Sequence, residues 1–145
     1  VVSSTAGSNK VAVLDAIIDL LNGIEDFRDY VFGGYHPASS ISVDRFILVH
    51  LHRDVQVVHV TDEDIHELHF NVVVKYKEDM ERDPKTTMDN FIDLVGKVED
   101  KLKGYYSNPG TWEELTIDEI DYTFGRDRQF LFYNALMSVR VRVQW

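Results

Sequence analysis

Six histidines and a surplus of carboxylates are the side chains in this chain that could do chemistry. His50 and His52, two apart in a stretch that alternates like a strand, would present two imidazoles on one face, the beginning of a metal site. His59, His66 and His69 follow closely. A barrel enzyme built on such a pair relies on glycine-bearing turns, and no glycine occurs between Tyr35 and Val95. His66-Glu67-Leu68-His69 falls one residue short of the metalloprotease helix spacing and sits in a strand-like context. Asp118, Glu119 and Asp121 could hold a hard cation but lack the glycine of a calcium-binding loop. No glycine-rich phosphate loop or Gly-x-Ser-x-Gly elbow is present, and Ser39-Ser40 beside Pro37 read as loop residues. The absence of cysteine excludes disulfides, thiolate catalysis and cysteine-based zinc sites. The expectation is therefore a protein with no catalytic residues, no metal and no cofactor. A small metal-dependent enzyme using the His50/His52 strand is the alternative from another class.

The elements that would position these residues can be read from the hydrophobic pattern. At 145 residues the chain suits one domain with a real core. No apolar run approaches the roughly 20 residues of a membrane span. Residues 1–8 lack the basic flank and apolar centre of a secretion signal and are expected to form a flexible arm, with a single domain over 9–145. Val11, Leu14, Ile18 and Leu21, widened by Ile17 and Ile24, predict a helix from Asn9 to Asp26, capped by Ser8 or Asn9. Phe27–Tyr35 is ambiguous, because Tyr30-Val31-Phe32 favours a strand and Gly33-Gly34 breaks it. His36–Ser40 reads as a loop.

Arg45–Leu51, Val55–Val60 and Glu67–Tyr76 then predict a three-strand meander, turning at Arg53-Asp54 and Thr61–Asp64. Asp83 as N-cap and Pro84 at the first helical position open a second helix. Its stripe is Met88, Phe91, Val95, Val98 and Leu102, with Ile92 beside it, and Gly104 ends it after Lys101 and Lys103. Two closing strands, Ile117–Phe124 and Phe130–Gln144, are joined at Gly125–Arg128. In the last, Val139, Val141, Val143 and Trp145 share one face. Its backbone needs a neighbour, so it is expected within the sheet. The fold class is α+β: an antiparallel sheet, meander plus C-terminal hairpin, packed with two helices.

This order of elements resembles the tail terminator and tail completion (minor tail) proteins of tailed phages and related viruses. The resemblance rests on the Val11–Ile18 helix and on the meander ending in His69-Phe70-Asn71-Val72-Val73-Val74. It continues in the helix after Asp83-Pro84 and in Asp127–Tyr133 through Arg140-Val141-Arg142-Val143. It covers most of the chain from Asn9 onward, through order and spacing and not through a strict motif. The family has no invariant active site, so no catalytic residue carries over.

The resemblance implies a virion structural protein, a subunit of a commonly six-fold homo-oligomeric ring on the end of the tail tube. Such a ring stops tube polymerisation and provides the surface to which the head or neck attaches. Its implied partners are the tail tube protein and a neck or head-completion protein, in the virion tail or neck, after assembly in the host cytoplasm. A head-completion or neck connector protein is the alternative within this class.

The charge is consistent with that reading. The net charge of −10 disfavours a general nucleic-acid binder. Genomic DNA would have to pass through a ring without specific binding, and acidic walls would serve that. Solvated loops and faces that keep the protein soluble are the more ordinary explanation of the acidic clusters. The basic residues that stand out are Arg126, Arg128, Arg140 and Arg142. They are either ordinary sheet-surface charge paired with acidic neighbours or a subunit contact that meets Asp62, Glu63 and Asp64 of the next protomer.

Overall fold

The computed structural model describes residues 6–34, 44–59, 64–79 and 83–145. The expected turn residues Thr61–Glu63 and the expected loop His36–Ser40 lie outside these. The elements are α1 (Ala6–Asn22), a 3-10 turn (Glu25–Phe27), β1 (Val31–Gly33), β2 (Arg45–His59), β3 (Asp64–Asp79), α2 (Pro84–Lys103), β4 (Glu114–Asp127) and β5 (Phe130–Gln144). The strands make one sheet in the order β1-β2-β3-β5-β4, antiparallel except for the β1–β2 pair. The α+β fold class expected from the sequence is the observed one.

β5 lies between β3 and β4, so the last stretch is central in the sheet. Tyr133, Ala135, Met137, Val139, Val141 and Val143 are buried on the side that faces the helices, and the residues between them are half-buried. β3 follows the same rule, with Leu68, Phe70, Val72, Val74 and Tyr76 inward. Both helices contribute to this one core: α1 through Val13, Ile17 and Leu21, α2 through Phe91, Leu94, Val95, Val98 and Leu102. The sheet thus has one packed face, as antiparallel sheets commonly do.

Several expectations need correction. α1 starts at Ala6 and ends at Asn22, so Ser8 and Asn9 are helical and do not cap it. Its buried line is Val13–Ile17–Leu21, while Val11 is 54 % exposed; the apolar positions are dense enough to allow two faces, and contact with the sheet selects one. The expected first two strands of the meander are one strand. Arg53-Asp54 is not a turn, because the extra residue His52 is absorbed as a bulge between the Leu51–Phe70 and Arg53–His69 pairs. A second irregularity falls at Val57. The final hairpin turns later than expected, at Arg128-Gln129, with Arg128 at φ 54, the left-handed region.

The Gly33-Gly34 pair has two separate causes. A Cβ on Gly33 would sit 3.1 Å from Ile18 Cδ1, where α1 lies against β1. Gly34 has φ 108, which side chains rarely adopt. α2 begins as expected: Asp83 accepts hydrogen bonds from the Thr86 amide (3.3 Å) and hydroxyl (2.8 Å). These bonds hold its carboxyl below the usual range. The helix centres on four rings, with Phe91 5.4 Å from Tyr133, 6.2 Å from Tyr76 and 6.1 Å from Tyr122.

Candidate functional site

The face of the sheet turned away from the helices carries a band of charged and imidazole side chains, in rows set by the strand register. One row runs Val55–Glu67–Arg142–Glu114 and the next Arg53–His69–Arg140–Thr116. His50–Asn71–Ser138–Glu119 follows, and then Leu48–Val73–Leu136–Asp121. No described helix or strand packs over these rows.

Arg140 is the centre of the charged end. Its guanidinium reaches Asp118 at 3.2 Å and Glu67 at 3.8 Å. Asp118 gains that position because it is the extra residue of a bulge between Ile117 and Glu119. Glu67, Glu114, Thr116, Arg140 and Arg142 line a hollow of about 70 Å³, room for a water or two and not for an organic substrate. Arg142 makes no ion pair among the described residues. Arg126 and Arg128 lie at the other end of β5, beside the hairpin turn, where Asp127 pairs with Phe130 and Arg126 with Leu131. The four arginines therefore do not form one strip. From Leu131 to Arg142 the strand covers about 37 Å at the usual rise per residue. Arg140 and Arg142 sit near the β2–β3 connection of their own chain, and Arg126 and Arg128 sit at the opposite end of the sheet. Of the acidic candidates, Asp64 is the first residue of β3, and Asp62 and Glu63 lie outside the described residues.

The histidines are divided by the sheet. His50 is on the open face, where its Nε2 accepts from the Asn71 amide at 3.1 Å, which places the ring proton on Nδ1. Burial, and then the charge of His52, lower its pKa, so the ring is neutral at pH 7. His52 occupies the bulge. His69 Nε2 lies 4.0 Å from Glu67. His66 faces the helix side, opposite in direction to His69, so His66-Glu67-Leu68-His69 cannot converge on one ion. Among the described residues no group of three or more His, Asp or Glu is placed to hold a metal.

Two further clusters had no signature in the sequence. On the helix side, Asp54 takes Lys10 of α1 at 2.5 Å and His66 Nδ1 at 2.8 Å, and the His66 ring lies 4.8 Å from that of Trp145. The bulge at His52 makes this possible. Before it, odd-numbered residues of β2 face the helices; from there to Gln56 even-numbered ones do, which turns Asp54 inward. Near α2, Arg45 binds Asp44 at 3.0 Å, approaches Asp26 at 3.6 Å and stands 5.7 Å over the Tyr76 ring. Lys97 reaches Asp26 at 2.6 Å. Burial, and then a 2.7 Å hydrogen bond to Glu78, push Tyr76 up to about 12. Ion pairs and hydrogen bonds satisfy these carboxylates and tie elements together.

No protein-family model matches the chain, and no curated protein matches it in sequence.

Proposed function

We propose that this chain is a virion structural protein of the tail-terminator kind: a ring subunit that caps the tail tube, ends its polymerisation and offers the head or neck its attachment surface. The observation that carries the reading furthest is the one-sided sheet. Its outer face combines a central apolar row, Phe32–Leu48–Val73–Leu136, in which Leu48 is buried and the other three are half-buried, with a charged end around Arg140. A sheet face of that kind is suited to contact with other subunits. The order helix, long hairpin, helix, long hairpin supports the resemblance drawn from the sequence.

The two ends of the sheet offer a head-to-tail contact. Arg126 and Arg128 are exposed at one end, and β3 begins with Asp64 at the other. Contacts between unlike patches close into rings when the rotation permits. Arg140, already held by Asp118 and Glu67, serves its own subunit first. In this reading the partners are the tail tube protein and a neck or head-completion protein, DNA passes without specific binding, and the chain has no catalytic role or cofactor.

Electron microscopy of tails assembled with and without the protein tests the proposal. Uniform, capped tails are expected with it and over-long tails without it. Uniform tails in its absence would refute the terminator role, and uniform tails that fail to join heads would assign the chain to head completion. Elemental analysis showing one metal per chain, lost in His50→Ala/His52→Ala, would move it to the enzyme class.

A further inference from the structure

The outer edge of β4 is divided into a closed half and an open half. At its start, Leu115 N–H donates to Tyr106 O at 2.6 Å, so the loop after α2 covers this stretch. The Asp118 bulge follows. Beyond it, the two-residue loop Arg128-Gln129 makes Asp127 and Phe130 the closing hydrogen-bonded pair of the hairpin. Alternation from that pair points the backbone N–H and C=O of Arg126, Phe124, Tyr122 and Ile120 away from β5. No strand pairs with them among the described residues.

The side chains along this open half differ by face. On the helix side Tyr122 leans on Phe91 and is half exposed, and Phe124 is 75 % exposed. Ile92 of α2, 48 % exposed, follows Phe91, whose ring meets that of Tyr122. On the other face, Glu119 and Asp121 make no ion pair among the described residues. Solvated edges are normally blocked by charges, bulges or proline. Here the bulge guards the half that is already covered, and the free half carries two aromatic rings.

We propose that β4 from Ile120 to Arg126 is a docking edge for an extended segment of a partner protein in which apolar residues alternate with basic ones. Added as a sixth strand, such a segment satisfies the four outward backbone positions. Its apolar side chains cover Tyr122, Phe124 and Ile92, and its basic ones meet Glu119 and Asp121. β5 is a segment of this type on the other side of the same strand: Val139-Arg140-Val141 lies against β4 with Arg140 on Asp118. Charge selects a partner over a second copy, since another copy brings a net charge of −10 and the same acidic row. The inference does not depend on ring formation.

The test uses the full chain and capped fluorescent peptides of about seven residues, alternating valine with arginine, valine with glutamate, or serine with arginine. Anisotropy should show binding of the valine–arginine peptide alone, with hydrogen exchange slowed at Ile120, Tyr122, Phe124 and Arg126. Phe124→Ser, at an exposed position that leaves folding intact, should weaken binding about tenfold, and Phe124→Pro, which also removes an outward amide, should abolish it. Glu119→Lys/Asp121→Lys should transfer preference to the valine–glutamate peptide. Equal binding of the serine–arginine peptide would reduce the edge to a charged surface and overturn the proposal. So would unchanged exchange at those four amides, or self-association of the chain that Phe124→Ser removes.

Discussion

Asp54 lies between Lys10 and His66, and its ionisation reports on both. Burial alone would raise its pKa, but the hydrogen bonds and charges of Lys10 and His66 outweigh burial and hold it below the ordinary carboxylate value. A depressed folded pKa means that the contribution to stability is present above the unfolded carboxylate range. It is lost as pH falls through the folded value. Lys10→Met should therefore move the Asp54 midpoint upward in an NMR titration and cost roughly 0.2–1 kcal/mol near neutral pH. That difference should shrink once Asp54 is protonated. Asp83 titrates in the same direction, because its low pKa comes from Thr86. Phe91, 1 % exposed at the centre of four rings, is the residue whose loss should matter most. Phe91→Ala should cost about 3–5 kcal/mol in urea denaturation, well above Asp83→Ala, which removes one cap at an exposed helix end.

The two bulges decide which side chains face the helices at the level of the strands. In β2 the extra residue is His52, and in β4 it is Asp118. Each reverses the inward parity of the residues that follow it, in β2 as far as the second irregularity at Val57, because side chains alternate with period two. Deleting His52 should remove the bulge yet leave Arg53 outward opposite His69 and Asp54 inward opposite Leu68, so the Lys10–Asp54–His66 link should survive. His52→Ala at the same exposed site should change stability by less than about 0.5 kcal/mol, and an NMR titration should find the Asp54 midpoint unmoved in both the deletion and the substitution. Arg128 at φ 54 is the other local cost. Arg128→Gly should raise the melting temperature, since a side chain in that conformation costs roughly 1–2 kcal/mol.

For the whole molecule, the charge-reversed variants separate folding from assembly. Arg126 and Arg128 are exposed, and among the described residues neither has an ion-pair partner. Arg126→Glu/Arg128→Glu should leave the melting temperature of the monomer nearly unchanged and yield over-long tails in electron micrographs. Tails of normal length would remove these two arginines from the subunit contact. Arg140→Glu should instead destabilise the isolated chain, by placing a third carboxylate beside Asp118 and Glu67. Circular dichroism melts distinguish the two effects without any assembly reaction.

The element types, the capped start of α2 and the inward row of β5 were legible in the sequence because each follows from neighbours a few residues apart. Asp83-Pro84 is a local signal, and so is the Val139, Val141, Val143 alternation. The change of phase from Leu115 and Ile117 to Ile120, Tyr122 and Phe124 also marks the Asp118 bulge, for a reader who counts parity. The joining of two expected strands into β2 was not legible, because Arg53-Asp54 reads as a turn unless a partner strand absorbs His52. The buried face of α1 was equally hidden, since its apolar residues surround more than one side and only the sheet chooses among them. Which arginines are already neutralised, which histidines share a face and which edge of the sheet stays open are set by register between segments far apart in the chain. Local sequence determined the elements of this protein, and only the pairing of its strands decided which charges and rings meet, because that pairing brings together residues that no local pattern connects.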